Sequence, residues 1–160
     1  MGTSNQGSAY EGLRGLVFRM DLQGTEDTGV QAVLMDWNLG KAVASVLAVI
    51  DGTASVYLSS GGGFIGGGQR SDAMRETAIR ATQVATTLLP QMQRTDSSET
   101  PPHPEEVYLY ARSKDGVYRA TASVADVRTG SGPYAELANL MQHIITLYRQ
   151  TASAEDKPKS

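Results

Sequence analysis

The sequence predicts one α+β domain: a five-stranded, mainly antiparallel sheet in the order βββ-α-ββ-α, preceded by a short N-terminal helix, with the helices packed on the sheet. Three observations predict it. Short apolar runs alternate in two groups joined by turn residues, which is the period of half-buried strands. Two longer segments repeat apolar residues at helical spacing. The length of 160 residues suits a single core, since a chain of this size buries roughly 68–70% of the surface it exposes when unfolded.

Residues 1–9 are uncharged and rich in Gly, Ser, Thr and Asn, and are expected to be disordered. The domain is assigned to residues 10–150. In it, Tyr10, Leu13, Val17 and Met20 fall three or four apart, as on one face of a short helix that Gly12 and Gly15 weaken. Val30 to Trp37 and Ala42 to Ile50 read as strands joined through Asn38-Leu39-Gly40-Lys41, and Asp51-Gly52 turns the chain into a third strand, Thr53 to Ser59. Both alternating sets of Ala42 to Ile50 are small or apolar, so this strand is expected at the sheet centre.

A helix is predicted from about Ser71 to Leu89, capped by Ser71 or Asp72, with Met74, Ala78, Ala81, Ala85, Leu88 and Met92 repeating at helical spacing as its buried face. Pro90 should end or bend it. Residues 93–105 hold no large apolar side chain and read as a mobile loop, after which Glu106 to Arg112 and Val117 to Val124 form a hairpin around Lys114-Asp115-Gly116. A closing helix is expected to begin near Ser131-Gly132-Pro133, with Tyr134, Leu137, Ala138, Met141, Ile144, Ile145 and Tyr148 in one stripe that Leu140 and Leu147 widen. Its wide apolar stripe suits either simple burial or a subunit interface. Residues 151–160 are expected to form a disordered tail.

Composition restricts the function classes. Lys and Arg number 14 against 17 Asp and Glu, for a net charge of −3, so no basic stripe of the kind that binds nucleic acid is present. There is no Cys and there are two His, which removes disulfides, thiolate metal sites and a cysteine nucleophile and leaves no multi-histidine centre. No cofactor and no metal are expected. Met1 to Ala9 lacks the basic start and apolar stretch of an export signal, and Ala42 to Ile50 falls well short of the roughly 20 residues that span a bilayer. The expected location is the cytoplasm, without membrane association.

The glycines are the most unusual feature: of the 17 in the chain, six lie between Gly61 and Gly68. As a binding site, the candidate residues are Gly62, Gly63, Gly66, Gly67, Gly68, Arg70 and Ser71. Exposed N–H groups and a helix N-terminus would there cradle a small anion, with Arg70 as the charge. The segment fits neither GxGxxG in a parallel βαβ unit nor GxxxxGK[ST], and the same glycines would serve a close-packed crossover plugged by Phe64 and Ile65.

Asp36 beside Trp37 could bind a cation or act as a base if the aromatic neighbour raised its pKa, or could be a turn acid beside a packing Trp. Asp51 and Asp115 precede Gly and read as turn residues. His103 and His143 have no sequence partner for a metal or a triad and read as solvated. Tyr108, Tyr110 and Tyr118 suit either an exposed aromatic interface or cross-strand packing. Arg75 and Arg80 could join Arg70 at the glycine loop or simply line a solvated helix face.

Met35-Asp36-Trp37, then Asp51-Gly52-Thr53-Ala54-Ser55-Val56-Tyr57, then Gly62-Gly63-Phe64-Ile65-Gly66-Gly67-Gly68 resemble the landmarks of a family of uncharacterised bacterial proteins, over roughly residues 10–90. The resemblance implies a bacterial, cytoplasmic origin and carries over no catalytic residue. The predicted element order is also similar to the roadblock and profilin-like folds, whose members mostly serve as dimerising or protein-binding scaffolds. The roadblock order has two strands before its central helix and three after it, where this sequence predicts three and two. The expected function is a non-catalytic module that binds a protein or itself as a homodimer. The alternative is an anion-binding domain at the glycine loop, and an Asp36-based enzyme ranks third.

Overall fold

A computed structural model describes Gly15, Val17, Phe18 and residues 29–38, 40, 42–58, 63–64, 72–95 and 102–156, with backbone alone at 63–64 and 151–156. The chain is α+β. Its strands are β1 (Ala32–Asn38), β2 (Val43–Val49), β3 (Ala54–Leu58), β4 (Gly63–Phe64), β5 (Gln93–Thr95), β6 (Glu106–Ser113) and β7 (Gly116–Ser123). Its helices are α1 (Asp72–Leu88), α2 (Val124–Thr129) and α3 (Ala135–Asp156), and a 3-10 turn, Leu89–Gln91, follows α1. The open antiparallel sheet runs β4-β3-β2-β1-β6-β7-β5. Among the described residues no helix is long and apolar enough to cross a membrane.

The predicted meander and hairpin form because their turns are encoded locally. Gly40 N–H donates to Asn38 Oδ1 at 2.7 Å, and Thr53 N–H donates to Asp51 Oδ1 at 2.9 Å. Gly52 takes a φ of 94°, and a Cβ there would collide with the Cγ of Arg75, whose stem lies across the turn. α1 ends at Leu88, with Pro90 inside the 3-10 turn, where its missing N–H is harmless.

Several expectations are corrected. Among the described residues the sheet has six strands of three or more residues plus the two-residue β4, instead of five. The extra strands β4 and β5 are short edges held by backbone pairing, so they leave no periodic side-chain pattern to read. The predicted 93–105 loop therefore begins as strand. Its far end is tied down as well, since Asn38 Nδ2 donates to the Pro102 carbonyl at 2.8 Å and Glu106 N–H donates to the His103 carbonyl at 2.9 Å.

The central strand is β1, not β2: both are paired on two sides, but β1 stands in the middle of the order, where its pairing with β6 joins the meander to the second hairpin. α2 was not anticipated; it is capped by Ser123, whose hydroxyl accepts from Asp126 N–H, and closed by left-handed Gly130. α3 starts at Ala135, later than the expected Ser131-Gly132-Pro133, because Ser131 N–H instead closes α2 by donating to the Asp126 carbonyl. At its far end α3 runs to Asp156 through part of the predicted tail, where Ala152, Ala154 and Glu155 are good helix formers. Of the predicted N-terminal helix only Gly15, Val17 and Phe18 are described. They are helical, but no complete helix is described there. Among the described residues four strands precede α1 and three follow it, which differs from both the predicted order and the roadblock order.

Two apolar layers flank the sheet. On one face Met35, Trp37, Val46, Val56 and Leu109 pack against Ala78, Ala81 and Ala85 of α1 and Leu137, Met141 and Ile144 of α3. The alanines let α1 approach the strands closely. On the other face Ala32, Leu34, Leu47, Tyr57, Tyr110 and Val117 pack with Val17 and Phe18. β1 is thus covered on both sides.

Candidate functional site

The strand register places Gly63, Tyr57, Ser45, Asp36, Tyr108 and Thr121 in one line across the sheet, on the face away from α1 and α3. Asp36, Ser45 and Tyr57 are buried there, while Thr121 is exposed. Ser45 Oγ donates to Asp36 Oδ1 at 2.8 Å. Consecutive strand residues point to opposite faces, so Trp37 packs among the helices and does not act on the Asp36 carboxylate as an aromatic neighbour. The turn-acid reading of Asp36 is corrected, since it is a strand residue bonded across a strand pair, while Trp37 is the packing residue that reading expected. Burial raises the Tyr57 phenol above its ordinary range, since leaving water disfavours the phenolate.

Replacing Asp36 by Ala is expected to cost about 1–3 kcal/mol, because the Ser45 hydroxyl then sits in the interior without this acceptor. Removing both partners should cost less than the sum of the single changes. Urea unfolding of the two single variants and the double variant measures this.

Of the sequence candidates for anion binding, Gly63 lies in β4, opposite Tyr57, and is part of the sheet. Gly62, Gly66, Gly67, Gly68, Arg70 and Ser71 lie outside the described residues. Arg75 covers Gly52, and Arg80 reaches Glu136 at 3.4 Å with both side chains 62% exposed, a geometry worth little in water. The tyrosines do not share a patch. Tyr110 is fully buried on the face away from α1 and α3, Tyr108 is half-buried beside it with Arg119 4.8 Å above its ring, and Tyr118 packs on the helix side. His103 and His143 are exposed. Among the described residues no three His, Asp or Glu side chains group to hold a metal.

A second feature was missed by sequence reading. Val30, Ile50, Ile79, Thr82, Gln83 and Thr86 line an open groove of about 420 Å³ between the entry of β1, the exit of β2 and the middle of α1. Ile50, 37% exposed, is the exposed large hydrophobic among the described residues. Its place directly before the Asp51-Gly52 turn was the available signal: the strand pattern ends there and the side chain leaves the covered sheet.

Fold and surface together define, among the described residues, an α+β domain with an open antiparallel sheet, a buried Asp36–Ser45 pair within it and a groove at Ile50. No protein-family model, curated protein or solved structure matches the chain.

Proposed function

We propose that the protein is a non-catalytic, self-associating module, bacterial and cytoplasmic, whose protein partner is a second copy of itself. The observation that supports this reading is Ile50, an exposed large apolar side chain on the rim of a groove of mixed lining in which Val30 and Ile79 stand beside Thr82, Gln83 and Thr86. The acids that the sequence offers for chemistry have other work: Asp36 accepts from Ser45 inside the sheet, and Asp51 accepts from Thr53 N–H in its turn. The half-buried Leu140, Ile145 and Tyr148 of α3 pack against the core, so α3 is a weaker candidate for the contact than its stripe suggested.

Light scattering over a concentration series tests the reading. A mass near 34 kDa, twice the 17.0 kDa chain, is expected. A monomer at every concentration overturns it. A monomer stabilised by added phosphate would move the function to the glycine segment instead.

A further inference from the structure

We propose that Arg119, held over the ring of Tyr108, anchors a binding site for a small carboxylate on the sheet face away from α1 and α3. The inference goes beyond self-association and does not depend on it.

The strand register builds the site. Arg119 on β7 stands opposite Tyr110 and diagonal to Tyr108, and its guanidinium lies 4.8 Å above the Tyr108 ring, within cation–π range. Tyr108 meets Tyr110 edge-on at 6.4 Å, and Tyr110 is fully buried, so the ring beneath the guanidinium is itself fixed. Part of the rotamer freedom of the half-buried arginine is therefore lost when the chain folds, before a ligand arrives.

No acid answers the charge held there. Among the described residues the ring contact is the interaction Arg119 makes, without a hydrogen bond or an ion pair. Glu106 shares its face but pairs with Ser123, four residues along β7, which is about 13 Å away at roughly 3.3 Å per residue. Arg112, diagonal to Arg119 across the same ladder, adds a second guanidinium, turned to the Phe18 carbonyl at 3.3 Å. An aromatic ring is a poor substitute for an oxygen acceptor, so the five N–H donors of Arg119 are left for an incoming one.

Two further polar side chains adjoin it. Gln93, on the edge strand β5, lies directly opposite Arg119, and Thr121 is two residues along β7 on the same face; both are exposed. A guanidinium fork matches the two oxygens of a planar carboxylate, and the Gln93 amide and Thr121 hydroxyl supply donors for its remaining lone pairs. One fixed positive charge in a chain of net charge −3 suits a singly charged carboxylate better than a phosphate dianion.

The test is an NMR titration of the 17.0 kDa chain with acetate, followed through backbone amide shifts, with sodium chloride at equal ionic strength as the blank. Saturating shifts centred on β5, β6 and β7 are expected, with a Kd on the order of millimolar. Arg119→Gln and Arg119→Lys are each expected to weaken binding by roughly tenfold or more, since Lys keeps the charge but loses the fork. Tyr108→Leu should weaken it by about threefold by releasing Arg119. Arg80→Gln, which removes an exposed charge on α1, should leave it unchanged. Thermal unfolding checks that the variants fold, and if Tyr108→Leu does not, the two Arg119 variants decide. Shifts that never saturate, full binding by Arg119→Lys, or an equal loss in Arg80→Gln overturn the site. Tighter binding of inorganic phosphate than of acetate overturns the carboxylate assignment. Self-association stands or falls separately, by light scattering.

Discussion

Replacing Tyr110 by Ala is expected to destabilise the protein by about 3–5 kcal/mol, the range for emptying a large aromatic site in a core. Tyr110 is fully buried on the sheet face that carries neither α1 nor α3. Its ring meets Phe18 edge-on at 5.8 Å between centroids and Tyr108 at 6.4 Å. Beside it, Arg112 Nη1 donates to the Phe18 carbonyl at 3.3 Å, so Phe18 is held to β6 by its backbone as well as by its ring. Loss of the Tyr110 ring removes the surface on which Phe18 rests. Urea unfolding should show a lower midpoint, and Tyr110→Phe should lose less because the ring stays. A cost below about 1 kcal/mol for the Ala variant would mean that this face is not a true second core.

Replacing Leu137 by Ala is expected to cost about 2–5 kcal/mol. Leu137 is fully buried and stands in the row with Ala138, Met141 and Ile144 that seats α3 on the sheet. The short side chains Ala78, Ala81 and Ala85, which α1 turns to the core, cannot move into the space. The control on the same helix is Gln142→Ala, an exposed position where the change should stay within about 0.5 kcal/mol. Equal losses at the two positions would show that burial of Leu137 is not what seats α3 on the sheet.

The hairpins were legible because turn chemistry is local. Asn38, Asp51 and the glycines beside them determine their bends within a few residues, and the structure reproduces all three of the expected hairpin connections. α1 was legible because its alanine and methionine spacing has the helical period, with Pro90 marking the stop. α2 carried a readable signal that the alternating pattern of β7 obscured: Ser123-Val124-Ala125-Asp126 places a capping hydroxyl three residues before an acid, and Gly130 closes the turn.

The candidate site was only partly legible. Asp36 stood out as an acid beside the single Trp, read either as a reactive carboxylate or as a turn acid, but its place within the strand ladder was not legible. Ser45 on the neighbouring strand answers the carboxylate, and this became visible only when the register set the two opposite each other. Ile50 looked like one more apolar strand residue until its exposure was known.

The sequence by itself determined the α+β class, the two groups of antiparallel strands and the placement of two amphipathic helices, because each depends on residue period and turn residues over short stretches of chain. Only the tertiary structure decided that β1 joins those two groups by pairing with β6, that β4 and β5 close the sheet edges, and that β2, β1 and α1 leave a groove at Ile50. These features are made by segments far apart in the chain. Backbone hydrogen bonds between distant strands carry no side-chain signature, and a recess exists only once the elements around it have packed.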